Sequence, residues 1–194
     1  MIRDDLVTHE QYAKLFDEMH PGFFERDYIR NMTEDEPASE MLLRLQSFDE
    51  KIYDRKFPEN ISFGYYKDDL NKLHEAVNAV IPHWVPFFDG KSRVYCGYEE
   101  GKIACFCMIE DFGEHFVAGM KWKIGGPGCV GTLPQFRNRG LGLVMVRNVT
   151  KILRDEMYDY SYIHYTYETG WYSKLGYKTF LRWNRNGIVK ENNE

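Results

Sequence analysis

The sequence predicts a mixed α/β domain preceded by a helical extension. Three observations lead to this prediction: the length of 194 residues, a hydrophobic content of 43% with 16% aromatic residues, and strand and helix patterns that alternate after residue 60. A chain of this length buries about 70% of its unfolded surface, so it forms a core without disulfides or metals. We expect the helical extension over residues 1–60 and the domain, built on a mixed sheet, over residues 61–194.

Two apolar stripes predict helices within residues 1–60. Thr8-x-x-Gln11 and Thr33-x-x-Glu36 both match the capping-box pattern that begins a helix. Apolar side chains follow each box at helical spacing and are typical of core contacts. The first stripe comprises Tyr12, Leu15, Phe16 and Met19, and the second Met41, Leu42, Leu45, Phe48 and Ile52.

Residues 61–110 predict the first strands of the sheet. Strands are expected over 61–66, 93–98 and 102–110, the last two joined by the turn Glu99-Glu100-Gly101. A helix capped by Asp68 or Asp69 separates the first two strands and ends at Pro82. A short helix or a loop is expected to follow it.

The second half of the chain predicts two further strand–helix pairs and a final strand. Residues 111–127 are expected to form a loop, because they end in the run Gly125-Gly126-Pro127-Gly128. Strands are then expected over 129–133, 160–166 and 178–183, with a long helix over 141–157 and a short one over 171–175.

The charge distribution indicates a small anion-binding surface. The net charge is −5, yet between His115 and Arg154 the chain has seven Lys or Arg residues and no Asp or Glu. A stretch of one sign in an acidic chain is typical of a surface that receives an anion. The pI of about 5.7 excludes a duplex-binding domain, for which a pI above ~9 is usual. A compact polyphosphate ligand is favoured, and we expect no nucleic-acid partner.

Composition also excludes several protein classes. No apolar run approaches the ~20 residues that span a bilayer, and residues 1–10 lack the apolar stretch of a signal peptide. We therefore expect no membrane association and a cytoplasmic location. The four cysteines form no C-x-x-C pair, which indicates reduced thiols and no metal site. They are Cys96, Cys105, Cys107 and Cys129.

Residues 134–142 carry the clearest chemical signal. They connect a predicted strand to the long helix, whose first N–H groups and dipole attract an anion. Gly140 and Gly142 let a phosphate approach the backbone, and Arg137 and Arg139 add positive charge. Met145 stands where G-x-G-x-x-G requires its third glycine, and the chain has no G-x-x-x-x-G-K-[ST]. Dinucleotide and P-loop sites are therefore disfavoured.

Two motifs in this half resemble a known family. Leu133-Pro134-Gln135-Phe136-Arg137-Asn138-Arg139-Gly140-Leu141-Gly142 resembles motif A of the GNAT superfamily, the acetyl-CoA-dependent N-acetyltransferases, with its core [RQ]-x-x-G-x-[GA]. About 30 residues later, Trp171-Tyr172-Ser173-Lys174-Leu175-Gly176-Tyr177 resembles motif B. The resemblance covers roughly residues 61–194 and implies a GNAT-like fold, acetyl-CoA as cosubstrate and no metal. It implies acetyl transfer to a primary amine of a small molecule or peptide, and leaves a homodimer open.

The resemblance also implies site residues. The strand before motif A would splay from the next parallel strand, and its backbone near Val130 and Thr132 would bind the pantetheine arm. Tyr172 takes the general-acid position, since a phenol with a reference pKa of about 10 stays protonated at neutral pH and can donate to a thiolate. The pyrophosphate would lie on backbone N–H groups of Arg137, Asn138, Arg139, Gly140, Leu141 and Gly142.

The resemblance leaves some assignments open. Tyr165 stands where some members of the family have an asparagine that supports the cofactor, and His164 is interpreted as a structural histidine. A silent acyl-CoA-binding or sensing domain, and a phosphate-ligand enzyme that uses no thioester, are the alternative functions. The general base is open among Glu110, Asp111, Glu114, His115 and His164.

Overall fold

An eight-stranded mixed sheet organises the protein. The structure, a computed structural model, describes residues 7–33 and 36–190. The strands are β1 (Ala38–Arg44), β2 (Ile61–Tyr65), β3 (Arg93–Glu99), β4 (Lys102–Val117), β5 (Met120–Thr132), β6 (Tyr160–Thr166), β7 (Lys178–Asn184) and β8 (Gly187–Ile188). Their order in space is β2-β3-β4-β5-β6-β1-β7-β8. Neighbours are antiparallel except β5 and β6, which are parallel. The predicted α/β fold with a mixed sheet is confirmed.

Helices cover both faces of this sheet. They are α1 (His9–Met19), α2 (Asp27–Arg30), α3 (Leu70–Asn78), α4 (Leu141–Asp155) and α5 (Thr169–Tyr172). Side chains alternate between the faces of a strand: Cys105 and Cys107 of β4 pack with α4, whereas Phe106 and Met108 pack with α3. Helix α1 covers the same face as α3, because its Leu15 packs against Trp122 and Ile124 of β5. The first capping box is confirmed at Thr8.

The second helix predicted within the extension is wrong. Residues Ala38–Arg44 form β1, which lies between β6 and β7 in the sheet of residues 61–194. Six of the seven residues of β1 are buried because helices cover both faces there. A strand buried on both faces reads as a continuous apolar run, and such a run also matches a helical stripe. Part of the second capping box, residues 34 and 35, lies outside the described residues.

The loop predicted over residues 111–127 is also wrong. Strands β4 and β5 continue through it as a long hairpin, with Val117 opposite Met120 at its end. Trp122 and Ile124 alternate onto the face that α1 covers, and this burial outweighs the glycine run that suggested a loop. The four cysteines are free, as expected.

Candidate active site

A cleft opens where β5 leaves β6. The two strands pair only at Ile124 with Tyr160 and at Gly125 with Ser161, although β5 continues to Thr132 and β6 to Thr166. The divergence predicted for this strand pair is confirmed. Between their carboxyl ends, backbone groups of β5 have no partner strand on the β6 side within the described residues.

A β-bulge distorts β5 inside this cleft. Phe106 pairs with Gly131 and Met108 with Gly128, so two residues of β5, Cys129 and Val130, lie opposite Cys107 alone. Cys129 has φ of 47°, in the left-handed region that non-glycine residues rarely adopt. Bulges leave a residue outside the ladder and redirect the strand. The backbone at Val130 is thereby placed at the cleft.

The turn from β5 into α4 forms a set of unpaired N–H groups. After Thr132 the chain makes a 3-10 turn at Pro134–Phe136, and Asn138 and Gly140 have φ of 61° and 82°. Gly140 is the N-cap of α4. The backbone N–H groups of residues 138–143 have no acceptor within the described part of the chain. Together with the helix dipole they can hold a pyrophosphate.

Gly142 permits close packing between α4 and β5. A Cβ added there would lie 2.6 Å from Oγ1 of Thr132 and would force one of the two elements to move. Thr132 itself is bound into the turn, because Arg137 Nε donates to its carbonyl oxygen at 3.1 Å. The turn and the first residues of α4, Leu141 included, are thus held against the end of β5.

Both arginines of the turn differ from the prediction, since the N–H of Arg137, expected to bind pyrophosphate, donates to the Pro134 carbonyl at 3.3 Å. Arg139 forms a two-pronged salt bridge with Glu99 at 2.8 and 2.6 Å, which lowers the pKa of that carboxyl. Its guanidinium therefore has an anionic partner already. A residue that the sequence did not indicate, Arg55, lies over the turn: a Cβ on Gly140 would come within 2.1 Å of its Nη1. Only the fold brings this arginine to motif A.

Tyr172 is buried at the end of α5, on the α4 side of the cleft. It packs with Leu143 and Val146 of α4, and its ring centroid is 4.8 Å from that of Trp171 and 6.0 Å from that of Tyr177. Burial raises the pKa of the Tyr172 phenol well above its ordinary value. Its hydroxyl has no hydrogen-bond partner within the described residues. It is therefore a protonated donor that remains available.

Two of the five general-base candidates lie at the cleft. The carboxylate of Glu110 lies over Gly128, where an added Cβ would be 1.9 Å from its Oε2. Burial raises the pKa of Glu110, and the charge of His164 opposes this shift. The other three make contacts along the hairpin: Asp111 accepts from Gly113 N–H, Glu114 pairs with Lys121, and His115 contacts Glu18 and the Phe112 carbonyl.

His164, the second of these two candidates, belongs to a polar cluster around Glu40. Its Nδ1 lies 3.1 Å from Oε2 of Glu40, a side chain of β1 with no exposed surface. Glu40 also accepts from Trp183 Nε1 at 2.5 Å and from the N–H of Tyr165 at 3.2 Å. Tyr165, which stands at the family's asparagine position, has φ of 51° and bulges from β6. The sequence does not indicate Glu40, because the apolar pattern around this residue predicts a helix.

Among residues 7–33 and 36–190, no three His, Cys, Asp or Glu side chains are grouped so that they could hold a metal ion. No described helix is both long and apolar enough to cross a bilayer.

Comparisons with known proteins agree with this geometry. A family model described as acetyltransferase (GNAT) domain matches residues 60–180. The glucosamine N-acetyltransferase region of a fungal multi-domain GH3 β-N-acetylglucosaminidase superimposes with a TM-score of 0.63 at 19% identity, covering 75% of this chain and 20% of that one. A GCN5-related N-acetyltransferase from Sphaerobacter thermophilus gives 0.52 at 16%, covering 74% and 48%.

These solved structures are similar in fold and distant in sequence. A Drosophila protein also superimposes, with a TM-score of 0.52 at 14% identity, covering 77% of this chain and 50% of that one. This chain thus spans between a fifth and a half of these three relatives. No curated protein sequence matches it.

Proposed function

Because the chain belongs to the GNAT acetyltransferase family, we propose that it transfers an acetyl group from acetyl-CoA to a primary amine. In this proposal the amine attacks directly, within a ternary complex. The divergence of β5 from β6, directly ahead of the unpaired N–H groups of α4, carries the proposal. It provides an anion site and a narrow cleft side by side, as a long phosphorylated thioester requires.

The residues around the turn suit coenzyme A. Six consecutive N–H groups, at residues 138–143, are free to bind the pyrophosphate, while Gly142 lets α4 pack closely on Thr132 and so holds these groups at the end of β5. Arg55 adds a positive charge beside them. The unpaired backbone near Val130 would bind the pantetheine arm. Acetyl-CoA supplies an activated thioester whose carbonyl carbon can accept the amine.

Two side chains on opposite sides of the cleft support the reaction. Glu110 carries a carboxylate over Gly128 and would attract and orient a cationic acceptor. Tyr172 would donate a hydrogen bond, or its proton, to the sulfur as negative charge develops there. As the N–C bond forms and the C–S bond breaks, the amine loses a proton and the sulfur gains one.

The acceptor is proposed as a class only. A cleft with a carboxylate at its base favours a primary amine that arrives as its ammonium, in a small molecule or at a peptide terminus. Glucosamine, named for the fungal region, is one compound to test, alongside polyamines, amino acids and peptides. We propose that the protein acts without a metal.

Two measurements test the proposal. Acetyl-CoA should raise the melting temperature more than ATP or NAD does. Thioester consumption with the amine panel should then identify an acceptor, and Glu110→Gln should raise its KM more than Glu114→Gln, a matched change at a surface ion pair. Binding of acetyl-CoA without turnover on any amine would indicate a silent acyl-CoA-binding domain. Stabilisation by ATP or NAD alone would indicate a phosphate-ligand enzyme.

A further inference from the structure

A fully buried carboxylate lies within the sheet on β1, the strand next to β6 and its cleft. Glu40 has no exposed surface and lies where β1 passes between β6 and β7. An isolated buried carboxylate is costly unless hydrogen bonds surround it. Here four groups do: Trp183 Nε1–H, Tyr165 N–H, the Tyr162 hydroxyl and His164 Nδ1.

These contacts determine the tautomer of His164. The indole and backbone N–H groups can only donate, and the Tyr162 hydroxyl donates to Oε2 of Glu40. Carboxylate oxygens can only accept, so His164 Nδ1, at 3.1 and 3.2 Å from them, carries a hydrogen. In the neutral imidazole, Nε2 then holds the free lone pair. A carboxylate that orients a histidine in this way is typical of histidines that accept protons.

Burial keeps the second histidine of the cluster in its neutral form near neutral pH. His20 stacks on His164, with ring centroids 3.9 Å apart, and its Nε2 lies 3.0 Å from the Tyr162 hydroxyl. Because that hydroxyl donates to Glu40, His20 Nε2 must be the donor. Burial, followed by the charges of His164 and Arg26, lowers the pKa of His20 to about 3. His20 is therefore a neutral, fixed support.

His164 differs from His20 in access. Its side chain is 23% exposed, and Nε2 has no partner within the described residues. His164 lies on the same face of the sheet as Glu110. Glu110 pairs with Gly126 of β5, and Gly126 lies against Tyr162, two residues before His164 on β6. The charge of His164 acts to lower the pKa of Glu110. The titratable groups around it are Glu40 on β1, Tyr162 and Tyr165 on β6, Glu110 on β4, and His20 at the end of α1. The charge of Arg26 acts on His20.

We propose that His164 Nε2 takes the proton that the acceptor ammonium releases, and that Glu40 is the positioning residue that holds its Nδ1–H. This inference rests on the proposed function and adds the proton acceptor to it. The ammonium first loses one proton to Nε2, which passes it to water, and the neutral amine then attacks. The second proton, lost from nitrogen as the C–S bond breaks, balances the proton that the sulfur gains. Glu110 holds the ammonium and Tyr172 serves the sulfur, so the two proton transfers occur on opposite faces of the sheet.

The pH dependence of kcat/KM tests this role in the full-length protein. The wild type should lose activity as the imidazole becomes protonated at low pH. The fall in activity at low pH is the acid limb of the profile. His164→Gln should lower kcat at least about 100-fold, within the range of a positioned base, and should abolish the acid limb. Glu40→Gln should change the pH profile as well, because it replaces the carboxylate that accepts from Nδ1–H. His83→Gln, at an exposed histidine, is the matched control.

The pH profile of kcat/KM must be measured with two acceptors whose amine pKa values differ. An acid limb whose midpoint changes with the acceptor reports deprotonation of the amine and not of the enzyme. An acid limb that survives in His164→Gln would overturn the inference, even if activity fell. If Glu40→Gln does not fold, His164→Gln decides alone. If the wild type acetylates no amine, the proposed function itself is wrong. If the wild type is active and His164→Gln has the same pH profile as the wild type, only the role of His164 is wrong.

Discussion

Arg55 Nη1 donates a hydrogen bond to the carbonyl oxygen of Arg139, at 3.2 Å, across 84 residues of sequence. This contact places a guanidinium from the segment between β1 and β2 beside the N-terminus of α4. The Arg139 guanidinium is bound to Glu99, whereas Nη1 of Arg55 would lie 2.1 Å from a Cβ added to Gly140. The positive charge at the proposed pyrophosphate site thus comes partly from outside motif A.

Arg55→Ala should weaken acetyl-CoA binding about tenfold, or roughly 1.4 kcal/mol, because one exposed charge-assisted contact to phosphate is lost. Calorimetric titration measures this, and the loss should shrink at high salt. Arg30→Ala, also exposed, is the control and should bind normally. Equal affinity in the two variants would show that Arg55 does not contact the cosubstrate.

Gly140→Asp should abolish acetyl-CoA binding, because it puts a side chain and a negative charge at the N–H groups of the turn. Gly140 has φ of 82°, so the variant also carries backbone strain. Gly119→Asp is the matched control: its φ is 77°, and an added Cβ meets nothing within 4 Å. The control should be strained to a similar degree and still bind. Normal binding by Gly140→Asp would remove the motif A assignment.

Tyr172→Phe should lower kcat at least about 100-fold and leave acetyl-CoA affinity nearly unchanged, because the hydroxyl acts mainly in the transition state. Since burial raises the pKa of Tyr172 far above its ordinary value, kcat should show no alkaline fall from this residue up to pH 10. Tyr177→Phe removes the hydroxyl that contacts Thr150 and Ser161 and should reduce stability instead. If kcat of Tyr172→Phe stays within threefold of the wild-type value, another donor protonates the sulfur.

Stability should fall as pH decreases from 7 to 5, in part through His20. Its pKa is about 3 in the folded protein against 6.5 in the unfolded chain, so the unfolded state binds the extra proton in this window. The contribution is about 2 kcal/mol between pH 7 and pH 5. Urea unfolding of His20→Gln should show a smaller pH slope than wild type, whereas His83→Gln should keep it. Equal slopes in all three proteins would mean that His20 titrates normally.

A chain that begins at Glu59 should not fold into a stable domain. It lacks β1, which pairs with β6 on one side and β7 on the other, so both would lose their backbone partner. Circular dichroism and thermal melting check this expectation. A cooperative melt like that of the full chain would show that β6 and β7 close the gap.

Residues 1–60 have 15 Asp or Glu and 8 Lys or Arg residues, a net charge of −7 that predicts either steering of a cationic acceptor or a solvated face of a segment whose apolar stripes dock on the domain. Contacts of this segment with the sheet are extensive: Leu15 packs on Trp122, and Leu45 belongs to the core beneath α4. Steering by the remaining surface charge stays a prediction.

The sequence by itself determined the strand and helix order after β1 and the turn before α4. The signals that predicted these elements are local, because each depends on a few neighbouring residues and can be recognised in a single sequence. They are the capping residues, the pair Gly140 and Gly142, and the alternation in β3 and β4. The resemblance of residues 171–177 to motif B indicated Tyr172, and the chemistry of the side chains made Glu110 one of five candidate bases. The tertiary structure decided what local patterns cannot carry. Burial on both faces made residues 38–44 a strand, and only this strand brings Glu40 to His164. The contact between Arg55 and Gly140 also depends on the tertiary structure. Residues far apart in sequence meet only when the strands take their order in the sheet, and packing sets that order.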